Sequence, residues 1–525
     1  MSALTDDYPL GLGLMREVNC AYPTVPTIAG GVHATVDPQG VLSESCFDMV
    51  CVGEGEYVML DLAERIDGGR GFEGIANVWL KKPDASFERN SVRPYEQNLD
   101  LLPFPDWSIY PDTSFFKPFL GHVYKYGDFE MSRGCPYKCS YCINVQLHEI
   151  YKSTGSHNYH REKSIPRVME EIRWAVETHG IEFLKFWDET FLLMSQERME
   201  EFRDLYAEFR IPYVIETTGQ SITEFSAKIL SDTNCRSASL GMETGNPDIR
   251  KGLLSKPVDN QVYVDAFGLM EKYGIQKVSF NMIGLPNESQ EDIFRTIGLN
   301  RLVGTDTQSV GIFYPYKGSP IRNMMVRDGL FDDDFDLDDL ADYDFNTFTA
   351  GNRSVVKFKD MDSRLLNRLW MLFSSYCFWP VELYPLIDYV KNNDDELAVA
   401  LLNNIHRVTY FKKFGEWPES EEQSTEYPQI DAPAVSPGFT DRVTREFVEL
   451  LVGYWIGDRR EAVTEMIRSI ESGELSPEFS LPADNDTLAD WLSVDLFGSD
   501  AHRRIRAELL GFAQENSREY TPLFS

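Results

Sequence analysis

Residues Met131 to Asn144 read MSRGCPYKCSYCIN and place Cys135, Cys139 and Cys142 in a C-x3-C-x2-C spacing. Three thiols this close hold a metal, pair as a disulfide or fall together by chance. A closed zinc site wants four ligands, commonly two C-x2-C knuckles or one knuckle with paired histidines. Only Cys139 and Cys142 form such a knuckle, and His148, His157 and His160 do not repeat a finger pattern. A disulfide leaves one thiol over, and clustered cysteines in a cytosolic chain are more often ligands or catalysts than bridges. An iron–sulfur cluster fits the count better: three thiolates cap three corners of a [4Fe–4S] cube and leave the fourth iron open to a ligand. Cys20, Cys46, Cys51, Cys235 and Cys377 are scattered and read as small buried hydrophobes.

A loop of this kind needs a scaffold that presents it, and the surrounding pattern describes one. From about Gly127, short apolar strands alternate with amphipathic helices. The strand candidates are DFEMS, FLKFW, YVIET, SASLGM, KVSFNMI and QSVGIF. Helices are expected over Pro166–Thr178, closed by Gly180, and over Gln196–Phe209, with Ser289 and Asp292 opening another as a capping box. Six βα units in series imply a parallel sheet with right-handed crossovers, curled toward a barrel, whose ligands sit at the strand C-termini.

Four segments are expected in all. Residues 1–84 carry two glycine-ended strand candidates, TVPTIAGG and DMVCVGEGE, with a helical pattern from Tyr57 to Ile66 after the second. Residues 85–126 form a proline- and aromatic-rich connector strap, 127–327 the barrel, and 328–525 a mainly helical C-terminal region. In the last, an acidic run over Asp332–Asp344 lacks the glycine and glutamate of a calcium loop and reads as a solvated linker. The aromatic-rich stretch Leu365–Val390 is expected to pack against the barrel mouth, with a substrate lid as the alternative.

The 525 residues carry 84 acidic and 50 basic side chains, a formal net charge of -34, which argues against binding a nucleic-acid backbone. No apolar run reaches the ~18–20 residues of a membrane span, and the acidic N-terminus lacks a signal-peptide layout. The expectation is a cytoplasmic protein with a small-molecule or protein substrate.

The cysteine motif with aromatic Tyr141 before its last thiol, on the loop after the first strand of a βα barrel, resembles the radical S-adenosylmethionine enzymes. The resemblance covers about Leu99–Arg327 well and Val25–Arg65 more loosely. It implies a [4Fe–4S] cluster on Cys135, Cys139 and Cys142, whose open iron binds the amino and carboxylate groups of S-adenosylmethionine. Reductive cleavage then gives methionine and a 5′-deoxyadenosyl radical that takes hydrogen from an unactivated C–H bond. It further implies S-adenosylmethionine contacts from Asp188 or Glu189 in KFWDETF, where a helix N-cap is the other reading. Glu243 and Gly241 in SLGMETGN, Ile283 and Gly284 in NMIGLPNES, and Tyr141 complete that set. Lys317 stands in FYPYKGSPI where relatives carry a proline, a change with no obvious chemical cost.

The N-terminal segment is similar to the cobalamin-binding subgroup, whose Rossmann-like domain precedes the barrel. The similarity would set Gly30, Gly31 and His33 near the corrin or its nucleotide tail, with Gly53, Glu54, Gly55 and Glu56 as a second signature. A complete domain of this kind has another half upstream with an Asp-x-His-x-x-Gly loop. The segment is therefore expected to be a truncated half-domain with a strand edge in need of cover. The implied reaction is cobalamin-type C-methylation of a small metabolite, lipid or natural product, with a reductant such as flavodoxin or ferredoxin. The rivals are radical cyclisation or rearrangement of the tetrapyrrole-cyclase kind, a methylthiotransferase, which charge disfavours, and a non-catalytic iron–sulfur or zinc protein.

Overall fold

The computed structural model describes residues 1–332, apart from 120, 121 and 157, and parts of 355–409. The acidic run beyond Asp332 and most of the C-terminal region fall outside the described residues.

The chain opens with an α/β unit. Strands β1 (Ile28–Ala29) and β2 (Met49–Cys51) pair in parallel, and β3 (Val78–Lys81) and β4 (Phe87–Arg89) extend the sheet antiparallel from β2. The two glycine-ended strands are where the sequence puts them, and helix Glu56–Asp67 follows the second. The hairpin β3–β4 was not foreseen, because its strands are short and mostly half-exposed. The free edge of β1 is covered by the chain itself: Met1 N donates to Ile28 O at 2.8 Å, Gly30 N to Met1 O at 2.8 Å, and Ala3 N to Gly30 O at 3.2 Å.

The strap holds three 3₁₀ turns, then β5 (Phe116–Phe119) turns back antiparallel to β6 (His122–Phe129). The ribbon β7 (Ser132–Arg133) and β8 (Arg161–Glu162) flanks the cysteine segment. The barrel strands continue with β9 (Phe183–Phe186), β10 (Tyr213–Thr217), β11 (Cys235–Glu243), β12 (Gln276–Ile283) and β13 (Thr307–Ile312). The sheet order is β13-β12-β11-β10-β9-β6-β5, with six parallel strands, so the half-barrel has the expected (β/α)6 form.

Period-2 alternation decides what each face does. Leu184, Phe186, Tyr213, Ile215, Ala238, Leu240 and Met242 point to the helices and form the largest apolar core. Burial of each such large side chain contributes roughly 1.5–3 kcal/mol. Their alternates Lys185, Glu216, Ser239, Gly241 and Glu243 therefore face the concave side. The helices end where local chemistry ends them. Ser164 caps helix Ile165–His179, Pro166 sits in its first turn, and Gly180 stops it in the left-handed region. Ser289 and Asp292 form the expected capping box on helix Gln290–Val303.

Helix Ser363–Phe378 packs against β13 and helix Gln290–Val303 at the open edge of the half-barrel, with Leu366 reaching Ile283 and Gly284 at the strand end. Trp370 Nε1 donates to Val310 O at 2.8 Å, giving an edge-strand carbonyl a partner. Among the described residues no helix is long and apolar enough to cross a membrane.

Candidate functional site

The cysteine segment leaves β6 at the C-terminal end of the half-barrel. Cys135, Cys139 and Cys142 are unpaired thiols, all half-exposed. Burial pushes each thiol up, Cys142 to about 11, and neighbouring cysteines reinforce this at Cys135 and Cys142. They are near enough to one another to interact electrostatically. Yet among the described residues no three His, Cys, Asp or Glu side chains converge closely enough for a single metal ion. Three free thiols on one loop are the donor set of a cluster with one open corner. A bound cation is what would hold such thiols ionised.

The acidic pair after β9 divides. Asp188 is buried and accepts from Met131 N at 3.2 and 3.1 Å and from Ser132 Oγ at 2.5 Å. Burial raises its pKa to about 6 despite those donors. Its carboxylate fixes the stem of the cysteine segment. Glu189 is solvent-exposed. Burial raises its pKa against a hydrogen bond from the Gly134 amide, and it lies beside Cys135.

Glu243 ends β11 at a break in register, with φ +64. A non-glycine residue there is strained by roughly 1–3 kcal/mol and needs surroundings that hold it. Arg250, fully buried in the π turn Ile249–Leu253, supplies them. Its guanidinium donates to the carbonyls on either side of Glu243, Met242 O at 2.9 Å and Thr244 O, and to Val258 O at 3.0 Å. Glu243 Oε1 accepts from Tyr141 Oη at 2.8 Å and from Lys256 Nζ at 2.8 Å, and Lys256 also donates to Gly241 O at 2.6 Å. Burial opposes the charge on Lys256, but Glu243 outweighs it and holds its pKa above the usual lysine range. Lys256 also lies near enough to Cys139 to pull that thiol down. Tyr141, Glu243, Gly241 and Cys139 therefore form one network. Lys256 and Arg250, which join it, went unnoticed in the sequence.

Gly241 has no room for a side chain: a Cβ would lie 2.3 Å from Glu243 Oε1. Ile283 is buried at the end of β12, and Gly284 follows at φ +80. Glu288 Oε2 accepts from Gly284 N at 2.6 Å and Leu285 N at 3.1 Å. Burial raises the Glu288 pKa to about 8. On the concave wall below, Lys185 pairs with Glu216 at 2.6 Å and lies 3.9 Å over Trp187, whose Nε1 donates to Asp128 at 2.8 Å. Val278, Phe280 and Met282 line the opposite side of that wall.

Residues 129–299 match the family model of the radical SAM superfamily. The half-barrel with its cysteine segment is thus a radical S-adenosylmethionine domain. Such a domain implies the [4Fe–4S] cluster and S-adenosylmethionine, and the site fits both: a three-thiol loop with an acidic and cationic network beside it. Among curated proteins the chain is similar to the uncharacterized methyltransferase PH0819 of Pyrococcus horikoshii, 25% identical over 412 residues, 78% of this chain and 83% of that one. It is also similar to the anaerobic magnesium-protoporphyrin IX monomethyl ester cyclase of Rubrivivax gelatinosus, 24% identical over 343 residues. That match covers 64% of this chain and only 58% of the cyclase. Among solved structures, the fold is like that of the cobalamin-dependent S-adenosylmethionine radical enzyme OxsB with aqua-cobalamin and S-adenosylmethionine bound. The TM-score is 0.56 at 14% identity, over 95% of this chain and 75% of OxsB.

The N-terminal residues that the resemblance sets near cobalamin make the following contacts within the chain. Gly31 has φ +89, and a Cβ there would lie 2.8 Å from the backbone N and O of Ala3. Gly30 pairs with Met1 and Ala3. His33 is buried, Nδ1 3.2 Å from Thr5 Oγ1, its ring 4.1 Å from that of Tyr8, and burial lowers its pKa to about 4. A Cβ on Gly53 would lie 2.3 Å from Tyr151 Oη, and Glu54 bonds Arg161 at 2.6 and 3.2 Å. Lys317 does have a role: it pairs with Asp37 at 2.6 Å, next to Tyr316 Oη donating to Asp6 at 2.8 Å.

Proposed function

We propose that the chain functionalises a C–H bond of a small molecule held against the concave wall of the half-barrel, with methyl transfer as the favoured outcome. The observation that carries this is the three-thiol loop set beside the Tyr141–Glu243–Lys256 network at the strand C-termini. When bound, the cluster and S-adenosylmethionine supply one-electron cleavage of the sulfonium and a carbon radical. The protein's own groups bind and orient. Glu189 and Glu243 are acceptors for a methionine ammonium, Lys256 holds Glu243 in place, and the backbone after Ile283 offers a flat edge for adenine. Trp187, Asp128 and Lys185 on one side and Phe280 and Met282 on the other suit a substrate with a polar end and an apolar body.

Similarity to PH0819 supports methyl transfer, and similarity to the cyclase supports radical cyclisation as the second reading. OxsB was solved with aqua-cobalamin bound, and a corrin near Gly30, Gly31, His33, Gly53 and Glu54 is the cobalamin form of this proposal. A reductant such as flavodoxin or ferredoxin and a cytoplasmic setting complete the proposal. The test is anaerobic incubation of the reconstituted protein with dithionite, S-adenosylmethionine and the small-molecule fraction of its source cells. Release of 5′-deoxyadenosine together with S-adenosylhomocysteine supports methylation. Deoxyadenosine with methionine alone supports cyclisation, and neither product refutes the proposal.

A further inference from the structure

Glu54 touches the cysteine segment at both of its ends. Before Cys135 runs the ribbon β7–β8, in which Arg133 pairs with Arg161 across the strands. The Glu54 carboxylate takes the Arg161 fork at 2.6 and 3.2 Å and lies 3.6 Å from Arg133. Arg161 is buried, donates to Glu96 O at 2.8 Å and lies 4.2 Å over the Tyr95 ring, so the fork has one seat. After Cys142 runs helix Asn144–Lys152, and its Tyr151 Oη accepts the Glu54 amide at 2.6 Å. Gly53 is the residue that lets Tyr151 approach. From the barrel side, Asp188 grips the same stem at Met131 and Ser132. Thus a residue of the N-terminal unit, 81 positions before the first thiol, brackets the segment that spaces all three.

We infer that Glu54, with Gly53, is a positioning residue for the cluster. It acts through Arg161, Arg133 and Tyr151 to preset the separation of the three thiols. The inference rests on the iron–sulfur reading of those thiols, and its test separates the two. Amide exchange is measured on the full chain, metal-free and reconstituted, with the cluster's midpoint potential and its spectral change on adding S-adenosylmethionine. Glu54→Gln is expected to exchange ~10-fold faster across residues 131–152, with exchange over β9–β13 unchanged. On reconstitution it should hold as much iron as the parent, with a shifted potential and ~10-fold slower deoxyadenosine release. Glu64→Gln, on the exposed side of helix Glu56–Asp67, should change none of these. Parental exchange and an unshifted potential in Glu54→Gln would overturn the inference. Should that variant fail to fold, Tyr151→Phe, which removes one hydroxyl, must speed exchange over residues 142–152, and parental exchange there refutes it equally. A parent chain that takes up no iron sinks the functional reading, while the metal-free exchange comparison still decides this one.

Discussion

The strand ends of the half-barrel and those of the N-terminal sheet look alike in sequence and behave differently in space. Both present glycines where a ligand could approach: Gly241 and Gly284 in one, Gly31 and Gly53 in the other. In the barrel the glycines stand beside ionisable groups held for use, Glu243 with Lys256 and Glu288 under the Gly284 turn. The chain's own atoms fill the space at all four, Glu243 at Gly241 and Leu366 at Gly284, Ala3 at Gly31 and Tyr151 at Gly53, so what differs is the chemistry of the neighbours. A glycine at a strand end permits close approach, and only the tertiary neighbours decide what approaches.

The largest expected effect that would sharpen this contrast lies at Glu288. Its pKa is raised from 4.5 to about 8. The folded state therefore favours the protonated form. That contribution is full below the unfolded pKa and is lost as pH rises through about 8. Glu288→Gln keeps an acceptor for the two amides and removes the titration. The stability of the parent relative to this variant should fall by up to about 5 kcal/mol between pH 4 and 9, measured by urea unfolding. A flat difference would show that the carboxyl is not enclosed. Lys256→Met is next: it leaves Glu243 largely buried with only Tyr141 as donor, at a cost of roughly 3 kcal/mol, and should weaken S-adenosylmethionine binding in equilibrium dialysis. On the N-terminal side, Gly53→Ala forces a Cβ onto Tyr151 at positive φ and should cost roughly 1–3 kcal/mol in urea unfolding. If it is neutral, the loop is open after all. Smallest is Lys317→Ala, at the half-exposed pair with Asp37, which should change stability by less than about 1 kcal/mol in the same assay and less still in high salt.

The six barrel strands were legible because each is a short apolar run bounded by helix caps, and the cysteine loop because no common alternative uses three thiols at that spacing. Lys256 and Arg250 were not, since each lies in a connection after β11 and reaches its partners only through the π turn. Asp188 and Glu189 are adjacent in sequence but point to opposite duties, a division that alternation of side chains creates and a carboxylate pair does not announce. The hairpin β3–β4 has too little apolar patterning to stand out, and the role of Lys317 depends on Asp37, 280 residues away.

The central claim is that three thiols on one loop hold a cluster that cleaves S-adenosylmethionine. Its most direct test is 5′-deoxyadenosine release by anaerobically reconstituted protein with dithionite and S-adenosylmethionine, parent against Cys139→Ala. Release by the parent and none by the variant is the predicted result. Equal release by both would contradict it.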